Sequence, residues 1–297
     1  MKHGTDFTKV KPGACVAFGR FDGLHIGHRA VIQKVCEQRG RQRVLLSFSE
    51  GKLPFLYTEY EKAYLLKNSG LDLLVSIPAE KVLPLSAEAF AKEILQEKMN
   101  AGAVVAGEGA RFGSDRLDLP AFRALGERYG FDVVTVPMVR LFEEAVSTGA
   151  VKEAILKGDF QGIQKLLGHA YLLCGTVVHG KAAGRKFGMP TANLRVAENK
   201  MFPPHGVYGS NSAIDGENFR SMTNVGLRPS DDDIPIATIE TFLLDFDRNI
   251  YGKEVFLELL VYIRGVVKFP GGLAELRKQI DKDIEAVKGY MRDKAEG

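Results

Sequence analysis

The amino-acid sequence predicts two domains of different class: an α/β domain on a parallel sheet, then a small antiparallel β-barrel with a terminal helix. Three observations lead there. At 297 residues the chain exceeds one typical domain. Over the first half, short apolar runs alternate with helical patterns, the rhythm of a parallel sheet joined by right-handed crossovers. After Gly168 strand-like runs follow one another across Gly, Pro, Asn and Asp turns, as in a small barrel.

Each element follows in order. CVAFG at 15–19, RVLLSF at 43–48, LDLLVSI at 71–77, AVVAG at 103–107 and DVVTV at 132–136 read as buried strands. Helical patterns lie between them at 28–39, 59–68, 86–98 and 120–129. VKEAILKGDFQGIQKLLG at 151–168 reads as two short helices around Gly158. YLLCGTVVHG, GVYGSNSAI, FRSMTNVG, ATIETFLLDF and EVFLELLVYI then read as strands, and 273–293 as one long helix. The boundary is expected between 158 and 170, giving domains 1–160 and 168–297.

Composition narrows the class of function. Hydrophobic residues at 45% and charged residues at 26% are those of a soluble globular protein. A net charge of +3 is too small and too dispersed for a nucleic-acid binder, and it suits anionic small substrates. Cys15, Cys36 and Cys174 form no C-x-x-C pair, which fits a reduced cytoplasm. The start MKHGTDFTKVKPG has no apolar core of a signal peptide, and no apolar run approaches a membrane span. A cytoplasmic protein with no membrane partner is expected, and self-association is left open.

VAFGRFDGLHIGH at 16–28 is a strand, a glycine-rich turn and the start of a helix. Gly19, Gly23 and Gly27 allow tight turning, and the new helix N-terminus offers free N–H groups that suit phosphate. His25 and His28, three apart, can face one anion and stabilise charge that develops in phosphoryl or nucleotidyl transfer. A metal pair would need a third ligand, which the neighbouring sequence does not offer.

The run Gly19, Phe21, Asp22, Gly23, His25, Gly27, His28 resembles the HxGH nucleotidyltransferases, whose domain is Rossmann-like. It looks in particular like the FMN adenylyltransferase module of bacterial bifunctional riboflavin kinase/FAD synthetases. The resemblance implies that His25 and His28 act on ATP phosphates during in-line AMP transfer to FMN, with Mg²⁺, and that Gly19, Phe21, Gly23 and Gly27 shape the nucleotide site. Its Ser-Ser-Thr-x-x-Arg phosphate loop corresponds here to Ser147, Thr148, Gly149 and Lys152. This chain therefore carries glycine where the family has a hydroxyl, and a point charge where it has a guanidinium fork. GEGARFG at 107–113 stands for G-E-[DN]-F-x-F-G, SFSEGKLP at 47–54 lacks the family's Pro-His-Pro, and Arg20 replaces a small or amide residue. One missing donor at a transferring phosphate costs about 2.7–4 kcal/mol of transition-state stabilisation.

GTVVHGKAAGRKFGMPTANL at 175–194 places Lys181, Arg185 and Lys186 on a glycine-rich loop after a strand, chemistry that can wrap polyphosphate. Thr191 and Asn193 lie two apart in an extended segment, so both oxygens face one side as hard ligands for Mg²⁺. The stretch resembles the riboflavin kinase signature G-x-V-x-x-G-x-x-x-G-R-x-x-G-x-P-T-A-N without a break. Gly206-Val207-Tyr208, TNVGLRPS at 223–230 and IETFLLDFDRNIYGK at 239–253 continue it. The resemblance implies an antiparallel barrel kinase in which Gly175, Val177, Gly180, Gly184, Arg185 and Pro190 bind ATP. Thr191 and Asn193 hold Mg²⁺, Asn224 and Arg228 meet the flavin, and Glu240 is the base for the riboflavin 5′-hydroxyl. Two readings follow: a bifunctional enzyme taking riboflavin and ATP to FMN and then FAD, or a kinase whose first domain only binds nucleotide or flavin.

Overall fold

A computed structural model describes residues 1–49, 54–180, 189–228, 236–267, 270 and 273–296. The chain divides into two compact units, Met1–Ala150 and Val151–Gly297.

In the first unit β1 (Lys2–Gly4), β2 (Ala14–Gly19), β3 (Arg43–Ser49), β4 (Leu73–Pro78), β5 (Ala101–Gly107) and β6 (Asp132–Val136) form one sheet. Its order is β1-β4-β3-β2-β5-β6, with every pairing parallel. Such a sheet is covered on both faces, so its strands are apolar on both. On β3, Val44, Leu46 and Phe48 enter one core cluster and Leu45 the other. Ile32 and Val35 of α1 (Ile26–Cys36), with Leu66 capping α2 (Glu59–Leu65), cover the Leu45 side. The opposite side packs under Phe90, Ile94 and Leu95, and under Phe122 of α4 (Leu119–Tyr129).

Local sequence sets the helix ends. Thr58 and Glu61 form a reciprocal capping box at the start of α2. Asp118 caps α4, Pro120 sits in its first turn, and Gly130 at φ 81° ends it. The pattern at 86–98 predicts one regular helix. The structure instead has a short α3 (Ala87–Ala89) running into a π-helix over Phe90–Lys98, which widens the turn beneath the cavity described below. The edge strand β1 and the hairpin of β7 (Arg140–Leu141) and β8 (Glu144–Ala145) were not expected, because two or three residues carry no readable period.

Two helices follow, α5 (Thr148–Lys157) and α6 (Phe160–Leu167), separated by Gly158 at φ 69° as the sequence indicated. The expected boundary lay at 158–170, whereas the observed division falls between Ala150 and Val151. The reason is docking: Gln164 Nε2 donates to Leu260 O at 2.8 Å and the Phe160 ring lies 5.1 Å from Tyr208, so α6 packs on the barrel.

The barrel is built from β9 (Tyr171–Val178), β10 (Thr191–Val196), β11 (Gly206–Ile214), β12 (Glu217–Arg228), β13 (Ile236–Leu243) and β14 (Glu254–Arg264). Its order β10-β13-β12-β11-β14-β9 is closed by antiparallel pairing of β9 with β10. Six strands leave a narrow interior, and small hydroxyl residues fill part of it. Ser210, Ser212, Ser221, Thr223 and Thr241 are fully buried. Their hydroxyls form one chain: Ser212–Ser221 at 2.8 Å, Ser221–Ser210 at 2.8 Å, Ser210–Thr223 at 2.8 Å and Thr223–Thr241 at 2.7 Å. The terminal α7 (Leu273–Glu296) is held to β14 by Arg264, whose Nε and NH2 donate to Asp283 at 3.0 and 2.7 Å. Val287 and Met291 of α7 pack with Leu260.

Candidate active sites

In the first unit the strand order reverses between β2 and β5, and in open α/β sheets ligands bind beyond the strand ends at that switch point. A cavity of about 570 Å³ lies there. Phe18 and Phe48 of the sheet, with Phe90 and Phe112, give it aromatic walls, and the Phe18 and Phe90 rings stand 4.6 Å apart.

The turn that carries the histidines is tightly wound. Phe21 and Leu24 take left-handed φ of 47° and 45°, and Gly23 takes 91°. Two non-glycine residues in that region cost about 1–3 kcal/mol each, strain that clusters at functional sites. Deep anchoring holds it: Leu56 and Tyr57 N–H donate to Asp22 Oδ1 at 2.7 and 3.1 Å, and Thr148 Oγ1 donates to Asp22 O at 2.9 Å. Lys62, 3% exposed, reaches Arg20 O at 2.5 Å, Ser47 Oγ at 3.1 Å and Glu59 Oε1 at 2.7 Å.

His25 caps α1, its Nδ1 accepting from His28 N–H at 3.3 Å. That bond leaves the proton of the neutral ring on Nε2. The two imidazoles stack at 3.7 Å with 19° between planes. A Cβ at residue 27 would meet the His25 ring at 3.1 Å, so glycine lets the ring lie over the helix start. Burial pushes His25 down to about 4, and burial, then His25 and Lys62, hold His28 well below the usual histidine range. Both rings are neutral near pH 7, donors rather than cations. His28 Nδ1 is buried without a hydrogen-bond partner.

Of the residues expected here, Gly19, Phe21, Gly27, His25, His28, Ser147 and Thr148 all line the cavity. Gly23 is buried in the turn, and Lys152 lies further along α5 and is not among the walls. Ser147 Oγ accepts from Ala150 N–H at 3.2 Å, so that hydroxyl caps a helix. Arg111 and the aromatic walls were missed; chemistry on separate strands converges without a local spacing to reveal it.

In the barrel, a second cavity of about 540 Å³ is lined by Val177, Gly180, Pro190, Thr191 and Asn193 and by the segment 246–251. Thr191 and Asn193 share one face of β10, both half-buried. Asn193 pairs with Glu240, and Glu240 pairs on its other side with Asn224. Three predicted residues therefore stand side by side across three strands, on the face opposite the buried Ile239 and Thr241. A Cβ on Gly180 would overlap the Asn193 carboxamide. Val177 is buried and its backbone is spent on Lys253 O and Gly252 N–H, so it serves as wall. Gly175 lies where a side chain would meet Arg195 O at 2.8 Å. Gly184 and Arg185, with Lys181 and Lys186, fall outside the described residues; Arg228 ends β12.

After β13, Asp245 is left-handed at φ 54°, and Asp247, Arg248, Asn249 and Tyr251 line the cavity. Tyr251 stacks on His179 at 3.9 Å, and Arg248 is fixed by Glu217 at 2.9 and 3.1 Å. Among the described residues no group of three or more His, Cys, Asp or Glu could hold a metal ion. The hydroxyl and amide oxygens of Thr191 and Asn193 fit an ion held mainly by phosphate and water.

Comparison with known proteins follows the same division. A family model described as FAD synthetase matches residues 7–150, and one described as riboflavin kinase matches 167–291. The bifunctional riboflavin kinase/FMN adenylyltransferase of Haemophilus influenzae is 31% identical over 298 residues, spanning 95% of this chain and 96% of that protein. The protein of the same description from Listeria monocytogenes is 30% identical over 301 residues, spanning 97% and 94%. A crystal structure from Streptococcus pneumoniae, titled a macrolide-efflux protein, superimposes with a TM-score of 0.81 at 29% identity, covering 97% of this chain and 98% of that one. Among the described residues no helix is long and apolar enough to cross a membrane.

Proposed function

The chain belongs to the family of bifunctional riboflavin kinase/FMN adenylyltransferases, and from that premise we propose how its two sites divide two steps of flavin cofactor synthesis. Riboflavin is phosphorylated by ATP in the barrel unit, and the FMN so formed is adenylylated to FAD in the α/β unit.

In the barrel, Glu240 accepts the proton of the riboflavin 5′-hydroxyl as its oxygen attacks the γ-phosphorus of ATP, and ADP leaves. Asn224, next in the row, orients the flavin side, with Arg228 at the end of the same strand. Thr191 and Asn193 would hold Mg²⁺, and the ion would supply charge neutralisation. Gly180 and Pro190 shape the entry, and Tyr251 and His179 give it an aromatic side. What carries this assignment is the Asn193–Glu240–Asn224 row beside Thr191: base, metal donors and flavin contact on one barrel face.

In the α/β unit an FMN phosphate oxygen attacks the α-phosphorus of ATP, the bond to the β-phosphate breaks, and pyrophosphate leaves. His25 and His28, neutral beforehand, donate to phosphate oxygens, and a bound polyanion gives the buried His28 Nδ1 a partner. The stacked pair at the switch point supports activity here over mere binding. The substrates are small molecules, with no nucleic acid or membrane partner proposed, and three cysteines held in no disulfide support a cytoplasmic setting.

The test is chromatography of purified protein with riboflavin, ATP and Mg²⁺, run to completion. FMN followed by FAD is expected. FMN alone would turn the first unit into a binding module, and no FMN would remove the kinase reading. Glu240→Gln is expected to lower kcat for FMN formation at least 10²-fold while leaving FAD formation from supplied FMN intact.

A further inference from the structure

The cavity of the first unit must take a triphosphate carrying about four negative charges, yet both of its histidines are neutral near pH 7. Ser147 Oγ is engaged in capping and Thr148 Oγ1 in holding the Asp22 carbonyl. Gly149, the second residue of α5, brings no side chain. Among the described residues, permanent positive charge in the walls comes from Arg20 and Arg111, against the carboxylate of Glu108. Arg20 follows the end of β2 and Arg111 lies four residues past β5. Those are the two neighbouring strands between which the sheet changes direction, so the guanidinium groups come from opposite lips of the crevice. Arg20 is exposed, but its backbone is not loose, because the buried Lys62 ammonium holds its carbonyl at 2.5 Å. Glu108 is drawn aside, its Oε2 accepting from Met138 N–H at 3.2 Å.

We infer that Arg20 and Arg111 form the clamp that binds the ATP polyphosphate in the adenylyl-transfer site. A guanidinium fork matches phosphate oxygens in pairs, which the histidines with one N–H each cannot do. Lys152, one turn into α5, is then no substitute for a phosphate-binding arginine, and that part falls to Arg20 and Arg111.

The inference rests on adenylyl transfer occurring at this site, so its test starts with a ligand that needs no turnover. Calorimetric titration of the full chain with inorganic tripolyphosphate is expected to show binding, weakened about tenfold to a hundredfold by Arg20→Gln or Arg111→Gln and only partly by Arg20→Lys. Lys152→Gln is expected to change it less than threefold. In FAD formation the same glutamine variants raise KM for ATP and leave KM for FMN alone. Absence of tripolyphosphate binding, unchanged binding in the Arg20→Gln/Arg111→Gln double variant, or a rise in KM for FMN instead of ATP would each overturn the clamp. If wild-type protein makes no FAD yet binds tripolyphosphate through both arginines, the clamp stands and adenylyl transfer falls. Arg20→Lys keeps the charge, so recovery there with loss in Arg20→Gln separates charge from misfolding.

Discussion

Alanine at Gly180 is a one-carbon change that reaches the kinase centre through Asn193. The backbone there is not left-handed, so alanine brings no conformational strain of its own. Its Cβ would overlap the Asn193 carboxamide, with Oδ1 at 2.6 Å and two further atoms closer. Ordinary contact between such atoms is about 3.5–4.0 Å, so the carboxamide must retreat by about 1 Å. A displacement of that size at a positioned group costs on the order of 10²-fold in rate, or ~2.7 kcal/mol of barrier. Steady-state FMN formation from riboflavin at saturating ATP and Mg²⁺ reads the loss, while FAD formation from supplied FMN should not move. The diagnostic is a double-mutant cycle. Asn193→Ala removes the group that is pushed, so adding Gly180→Ala to it should cost little more. Full additivity, or a kcat for Gly180→Ala within threefold of wild type, would refute a role for the Asn193 amide in holding the phosphates.

Further expectations concern the other unit and the scaffold. His28→Ala should abolish FAD formation from FMN while leaving FMN formation unchanged; an equal fall in both would defeat the two-site picture. The buried His25 titrates at about 4 when folded and near 6.5 when unfolded, so unfolding takes up a proton between those values. Stability of the first unit should thus be full above pH 6.5 and fall as pH drops towards 4, by up to about 3 kcal/mol for this residue. Urea midpoints at pH 5 and pH 7 in wild type and His25→Asn check it, and an identical pH slope in both would count against a neutral buried ring. Asp283→Asn leaves the Arg264 guanidinium against a neutral amide and should cost the barrel about 3 kcal/mol or more, read as a lowered Tm. Replacing both partners by methionine should cost less.

How much was legible in the sequence depended on how local each signal was. Five of the sheet's six strands and the helices around them show in runs of apolar residues, because a doubly covered sheet buries its strands on both faces. The His25–His28 pair and the Thr191–Asn193 pair are spacings within one element, so their shared orientation could be read directly. The extended stretch from Thr191 proved to be the strand that closes the barrel, but its pairing with β9 has no local mark. Arg20 and Arg111 stand 91 positions apart in the chain and meet one cavity only because β5 lies beside β2. Asn193, Glu240 and Asn224 were each picked out singly. That they form a row depends on register, which pattern alone does not specify.

Register is where the buried hydroxyls of the barrel matter. Sliding β12 past β13 by two residues would keep every inward residue inside and every outward one outside, so hydrophobicity does little to forbid it. It would, however, set Thr223 against Leu243 and Thr241 against Val225, breaking their 2.7 Å bond; Thr223 would keep Ser210, but the buried Thr241 hydroxyl would lose its hydroxyl partner. Such an orphan costs about 1–3 kcal/mol, which disfavours the slipped barrel. The polar chain thus works as a notch code, read on the inside of the wall and enforced on the outside. A Thr223→Val/Thr241→Val barrel could stay folded and greasy, yet lose the one alignment that sets Asn224 beside Glu240.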